Sequence, residues 1–544
     1  LFGASQFGNA KLRRAAENAL TSLVGVDMDA AIGRTSIAFD SSRLIALQVS
    51  DVKLSTHDAG KPVIDAGKVS FGFHFLPLLT GHVRLGSVTI EDAHIRPRFM
   101  PDLGGGGDWA ADLRDAQGLI DPDAVLKALF GGFHRAFGTV GTGAMNEIRL
   151  HNVDFLTPNG PMPEGVHVED ARIARLLSGA LGVSATAHAL GMDFQVDGKA
   201  TRGTKGRIAA LNLNVKAERP QAIAPAAVQT AAEHGLPLRS VGAFALSING
   251  AEGNGDQPSK ITSALSFTNA LLDFDEDGQA IIDGDIDTSL AAGTGKIEFS
   301  RLRIASGHSQ FNFHGAIGPL SGEGRQLDNP AYRYEFVSDG SVSAPDDSPE
   351  PPLPFFARIA GRYDVKARQL IANDIGIRTG PGELLGTASM TFVQGEAPGI
   401  FLAITVPSMP TQHVKQLWPW LAAPSARKWV MNNLFAGEVR NSNLQFHVAP
   451  GRLGNGVPLS DQEISGHFEV SGTRFDVAGN IPPVRDGDGV VDFRGNSVDV
   501  SLSSGTVYMP SGRTVSASNG TFVLRRVHLE PVIGALDIDV SGSA

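Results

Sequence analysis

The chain is predicted to be mostly β, an elongated and curved antiparallel sheet forming an open groove, with a few short helices at its edges. Three observations carry that expectation. Val69, Phe71, Phe73 and Phe75 alternate strictly, the mark of a strand with one buried face. A pattern of apolar-x-apolar-x-x-apolar-x-apolar recurs along the chain, and helical spacing of apolar residues is rare. The 64 glycines are spread out, as many short strands joined by turns require.

The first helix is expected at Asn9–Leu23, where Leu12, Ala16, Ala19, Leu20 and Leu23 share a face and Gly25 follows. Lys11, Arg13 and Arg14 on its early turns would lie near anionic headgroups if a membrane anchor preceded it, or form a solvated face. No window approaches 18 consecutive apolar residues. Because the chain begins with Leu1 and stops in a strand-like run, it reads as an excised fragment, with room upstream for a targeting or transmembrane segment.

From Ile32 the period changes to two. The recurring pattern appears at Leu47–Leu54, Val83–Ile90, Ile148–Phe155, Val166–Ile173, Leu265–Leu272 and Phe468–Phe475. Its two apolar pairs have opposite parity, so a plain strand would send them to opposite faces. One extra residue between them, in a bulged or sharply bent strand, keeps both pairs on the same face. Gly86–Ser87, His151–Asn152 and Thr268–Asn269 are therefore expected at kinks, since Gly, Ser, Asn and Asp tolerate such conformations.

Asp121 caps a second helix with Pro122 at its first position and Val125, Leu126, Leu129, Phe133 and Phe137 on its apolar side. A third is expected near Ile223–His234. Pro345–Pro354 (PDDSPEPPLP) reads as a linker. The resulting division is a helix at 1–25 and a β segment at 26–215 with a helical insertion near 121–137. A second β segment follows at 216–344, then the linker at 345–354 and a third β segment at 355–544 with a Trp-rich insertion at 411–437. Roughly 25 to 30 strands with one apolar face each have only about four helices to cover them, so the faces must meet one another or enclose something that is not protein.

The totals exclude several functions. A net charge of −11 argues against nucleic acid. With no cysteine, thiol catalysis and cysteine-ligated metals are out. Asp273, Asp275, Asp277 and Gly278 match the first half of a calcium loop, but the twelfth position is Gly284, and an acidic hairpin turn accounts for the same residues. Gly293-Thr-Gly-Lys296 lacks the leading glycine and the Ser or Thr of a phosphate loop. The 15 histidines show no metal spacing, and no nucleophile elbow is present. Neither a catalytic residue, a metal site nor a cofactor is expected.

Leu417–Phe446 holds three of the four tryptophans, Trp418, Trp420 and Trp429. Pro424 and Ser425 start a short helix with Trp429, Val430 and Leu434 on one face, and Gly437 stops it. The order L-W-P, P-x-x-R-x-W-V, N-L-x-x-G-x-V resembles the central signature of the AsmA-like superfamily in its YhdP-type branch, with Trp418, Pro419, Arg427, Trp429 and Gly437 as signature positions. The resemblance implies a periplasmic, inner-membrane-anchored, bridge-like lipid transfer protein. Its groove would hold phospholipid acyl chains between inner and outer membranes, with no enzymatic step. The groove lining would then include Val69, Phe71, Phe73, Phe75, Leu85, Ile90, Ile148, Leu150, Val153, Phe155, Phe267 and Leu272. The alternative is a closed β-sandwich serving as a scaffold, an adhesin or an assembly factor for outer-membrane proteins.

Overall fold

The computed structural model describes residues 28–542 apart from 32, 41–43, 57–61, 75–84, 97–112, 116, 141–144, 157–164, 190, 220–237, 274–278, 321–329, 394, 419–423, 477–481, 510 and 530–531. The fold is mostly β, as the alternation predicts. Contacts divide it into two units: residues 1–230, 239–269 and 287–297 form unit 1, and 231–238, 270–286 and 298–544 form unit 2. Pro345–Pro354 does not mark that division and lies inside unit 2. The expected helices at Asn9–Leu23 and Ile223–His234, and most of the acidic turn after Asp273, lie outside the described residues.

The first part of the chain runs through β1 (Met28–Ala31), β2 (Thr35–Asp40), β3 (Leu44–Thr56), β4 (Pro62–His74) and β5 (Leu85–Ile95) to α1 (Pro122–Val140). It continues with β6 (Glu147–Phe155), β7 (Val166–Arg175), β8 (Leu181–Ala189), β9 (Met192–Arg202), β10 (Ile208–Glu218), β11 (Leu238–Ser240), β12 (Ala243–Ala251) and β13 (Lys260–Asp273). Pairing is antiparallel except between β5 and β6, which run parallel because α1 sits in the crossover between them. The sheet is therefore mixed, where the sequence suggested an antiparallel one. Asp121 caps α1 as expected, accepting from the Asp123 N–H at 3.0 Å. Leu126, Phe130, Phe137 and Val140 bury the helix against Leu181, Ala200, Ile208 and Leu211.

The remaining strands are β14 (Gln279–Ala291), β15 (Ile297–Ser306), β16 (Ser309–Pro319), β17 (Ala331–Ser338), β18 (Ser341–Ser343), β19 (Leu353–Asp364), β20 (Gln369–Thr379), β21 (Gly382–Thr391) and β22 (Gly399–Pro410). Helices α2 (Thr411–Leu417) and α3 (Pro424–Asn433) and the short β23 (Leu434–Phe435) precede β24 (Glu438–Val448). The chain ends through β25 (Ile464–Phe475), β26 (Val484–Arg494), β27 (Ser497–Tyr508), β28 (Thr514–Arg525) and β29 (Ile533–Ser541). β22 and β24 pair antiparallel across the helical insertion, just as β10 and β12 pair across 220–237.

A left-handed or bulged residue stands in each recurrence of the pattern. Asp51, Asn152, Asn269 and Gly472 have left-handed φ of 55°, 53°, 52° and 63°. The β4–β5 register shifts beside Gly86, and the β7–β8 register shifts at Glu169. Leu85 and Val88 consequently pack in the same cluster, as do Leu150 and Val153. Two further copies use alanine as an apolar member, Ile64–Phe71 and Val88–Ile95. The second turns at Asp92, with φ 53°.

Candidate functional site

Pairing register sorts the apolar side chains into rows running across the strands. In unit 1, Val49, Val69, Ile90 and Leu150 are direct partners on β3 to β6. The row continues without a polar member through Ala171, Ala185, Val196, Val215 and Leu246 to Leu265 on β13. Nine interstrand steps of about 4.8 Å make it roughly 43 Å long. A second row, Leu47, Phe71, Val88, Ile148, Ile173 and Val183, runs beside it. Beyond the kinks a third begins at Val52, Ala66, Ala93 and Val153 and reaches Phe194, Phe244 and Phe267.

The predicted lining residues within these strands thus share one face. Val69, Ile90 and Leu150 lie in the first row, Phe71 and Ile148 in the second, and Val153 and Phe267 in the third. Phe73 pairs with Leu85, and Phe155 packs into the same cluster as both. Leu272 is half-buried in unit 2. Phe75 lies outside the described residues. The expectation of a trough open along its whole length fails at Val69, Phe71, Phe73 and Val153, which are at most 1% exposed. There the two halves of each kinked strand share one sealed cluster. From β7 onward the first two rows are half-buried, while the third is buried at Val168 and Ala217. Helix α1 covers the marginal row of Leu181, Ala200, Leu211, Gly250 and Ile261, and its cluster reaches Ile148 and Ile173 of the second row.

Unit 2 repeats the arrangement. Phe336, Ile359, Ile375, Gly386, Ile404 and Leu444 are successive partners on β17 to β24. Gly466, Phe493, Val498 and Leu524 extend the row to β28. Phe493 lies over Gly466, where an added Cβ would meet its ring at 2.4 Å, so the glycine leaves no polar gap. Tyr334 stays compatible with this face because its hydroxyl donates to the Ile371 carbonyl at 2.9 Å. Burial raises its pKa. Apart from the buried Gly466, every member of the row is half-buried.

The opposite faces are charged. In unit 1 Lys68 pairs with Glu91, Arg172 with Glu147, and His94 and His167 flank Asp154 at 3.0 and 2.7 Å. In unit 2 Arg358 pairs with Glu335 and Asp374, His467 with Asp492, and Arg525 with Asp499. Each strand therefore offers apolar surface to one side and ion pairs to the other.

The Trp-rich insertion is arranged differently from its expected helical face. Arg427 and Met431 are buried on α3 and Leu434 on β23, while Trp429 is 46% exposed. An arginine takes the inward position because its charge is met. Its Nε and Nη2 donate to Asp347 at 3.1 and 2.5 Å, and its Nη1 donates to the carbonyls of Lys415 and Trp418. Trp418 is half-buried, and Pro419 and Trp420 lie outside the described residues. Gly437, at φ 71°, is required, since a Cβ there would stand 2.4 Å from the Ser471 carbonyl oxygen. On α2, His413 faces the Thr379 hydroxyl at 2.9 Å, and burial holds its imidazole below the usual value.

Asp347 and Glu350 are thus not part of a free linker, as the sequence suggested. The Gly293 turn is no phosphate site, because its N–H already donates to the Asp123 carboxylate at 2.9 Å. No family model matches the chain, and neither does any curated protein or solved structure.

Proposed function

We propose that the chain is a non-enzymatic lipid carrier whose half-buried apolar rows hold phospholipid acyl chains. The single observation that supports this reading is the unbroken register of apolar partners across ten strands of each unit, half-buried along most of its length and opposite a face of ion pairs. A dry core needs no such continuity, because residues from separate places can fill it. A lipid tail does need it, since each CH₂ removed from water contributes about 0.8 kcal/mol and any polar step along the way interrupts the gain. A row of roughly 43 Å exceeds the whole bilayer hydrocarbon core of about 30 Å, so an acyl chain can lie along it.

The likeness of Leu417–Phe446 to the AsmA-like signature agrees with this reading and suggests the periplasm, with phospholipid passing between inner and outer membranes. A closed scaffold is the second reading, and the sealed cluster of β3 to β7 is the observation in its favour.

The test is photo-crosslinking from a reactive residue placed at Ile404 or Phe493 in the row, and at Thr405 or Asp492 on the other face. Lipid extraction and native mass spectrometry accompany it. Phospholipid adducts confined to the row positions are expected. Protein that purifies without lipid and gives no adducts, or adducts equally frequent on both faces, rejects the carrier.

A further inference from the structure

Two cations in unit 2 are withdrawn completely from water. Lys415 on α2 has no exposed side-chain surface and Arg427 on α3 is 1% exposed. Their carboxylate partners come from the proline-rich segment between β18 and β19. Lys415 Nζ donates to Glu350 at 2.7 Å and to the Leu434 carbonyl at 3.0 Å, and it stands over the Phe435 ring. Arg427 makes a two-point contact with Asp347. Gln416 Nε2 donates to the carbonyls of Glu350 and Pro351 at 2.8 and 2.6 Å, while the Ser343 hydroxyl donates to the Gln416 carbonyl.

On its other side the insertion meets the apolar face. Val414 and Leu417 pack with Val406, Met409, Val439 and Val470, and Ile404 of the long row touches the same cluster. The two helices leave the sheet at Pro410 and the chain rejoins it at Leu434, where β23 pairs with β25, while β22 and β24 stay paired with each other beneath them. Their attachment to the sheet therefore needs no ladder hydrogen bond of that pair.

We propose that residues 344–352 are a strap that clamps the α2–α3 insertion over the margin of the unit 2 apolar row, making the insertion a releasable side cover. The physical lever is the pair of buried cations. With their carboxylates they remain inside. Without them a buried ammonium and guanidinium must reach water. Swinging α2 and α3 outward achieves that while leaving the β22–β24 ladder intact. That the uncovered margin admits an acyl chain rests on the carrier reading above; the clamp itself does not.

The decisive measurement is hydrogen exchange on the full chain, comparing the native protein with Asp347→Asn/Glu350→Gln. Amides of α2 and α3 should exchange at least about tenfold faster, with β20 to β22 and β24 to β28 unchanged. Unchanged helices would overturn the strap, and exchange rising equally throughout unit 2 would make the insertion an inseparable part of the fold. In a second variant, Lys415→Met/Glu350→Leu replaces one buried ion pair by apolar side chains. Native protection of the helices is expected there, and opening would overturn the role given to the charges. Lipid crosslinking at Val406 is read in parallel. More adducts in the strap-cut variant than in the native chain are expected. Helices that open while no lipid is found at any row position would retain the strap and reject the carrier.

Discussion

The strands β3 to β6 of unit 1 and β19 to β28 of unit 2 carry the same kind of register-continuous apolar row, yet the first is sealed and the second is open. Composition does not separate them. The placement of the kinks differs between β3–β6 and β20–β24. In unit 1 Asp51, Gly67, Asp92 and Asn152 stand level with one another, and the bulge at Glu169 continues the line. Gly33 extends it at the other end, where its N–H donates to the Ser50 carbonyl and splits the edge into β1 and β2. A straight line of kinks is a crease. It folds the two halves of each strand toward each other until Val49 and Phe71 share a cluster with Val52 and Val153. In unit 2 the breaks step from strand to strand between β20 and β24, and from β25 to β28 they fall level within a residue, at Gly472, Asp488, Ser503 and Asn519. That on β20 is level with Ala403 of β22, whereas the left-handed Asn441 of β24 is level with Pro407. Stepped breaks bend each strand separately, and the row, Gly466 apart, stays half-buried both there and across the level breaks of β25 to β28.

A charge placed in each region tests that contrast most severely. Phe73→Asp buries an unpaired carboxylate in the sealed cluster and should cost at least about 4 kcal/mol, enough to unfold unit 1. Leu150→Arg, at a half-buried position on the margin of the same cluster, should cost less. Phe493→Asp in the open row should cost about 1 kcal/mol or less, because the carboxylate can turn to water. Urea unfolding with separate reporters in the two units ranks the three. Equal losses at Phe73 and Phe493 would show that unit 2 is as closed as unit 1.

The strand content, the kinks and the sharing of one face by distant residues were legible in the sequence, because parity is a local property of eight residues. Sealing was not legible. It depends on which distant strands are brought together, which is set by pairing register and not by any one strand. The copies at Ile64–Phe71 and Val88–Ile95 carry the same spacing, with Ala66 and Ala93 standing as apolar members, as Ala171 and Ala270 do in the copies at Val166–Ile173 and Leu265–Leu272. The strap was misread for another reason. PDDSPEPPLP has a linker's composition, and only the buried Lys415 and Arg427, distant in sequence, reveal what its carboxylates do. The inward arginine also displaced Trp429, which hydrophobicity alone would have buried.

The crease can be sharpened at a single residue. Asn152 sits at φ 53° with its side chain on the exposed face. Asn152→Val should cost about 1–2 kcal/mol, since a β-branched side chain resists the left-handed region. Asn152→Gly should stay within about 0.5 kcal/mol of the native protein, because glycine adopts that region freely. Thermal unfolding decides. A tolerated valine would mean that β6 can straighten, and that the crease does not depend on this residue.

The smallest expected effect separates the units by what holds them at acid pH. The loop between β24 and β25 is tied by Arg452, which donates to Glu463 at 2.5 and 2.9 Å and to the carbonyls of Val457 and Pro458 at 2.8 Å. Hydrogen bonds from Arg452, and next from the Ser460 backbone N–H, hold the Glu463 carboxyl down at about 2, against an ordinary value of 4.5. A depressed carboxyl favours the folded loop fully above the ordinary value, where the carboxylate is charged in both states. Between pH 4.5 and about 2 the unfolded loop takes up a proton that the folded one refuses, so the contribution fades as pH falls through that window. Proteolysis by an acid-active protease should therefore cut 451–461 progressively faster from pH 4.5 toward 2, while the sealed apolar cluster of β3 to β7, which holds no ionisable side chain, stays resistant. Arg452→Leu should remove the pH dependence of cutting and leave the loop loose throughout. A loop whose cutting rate stays flat across the window in the native chain would show that the ion pair does not hold it.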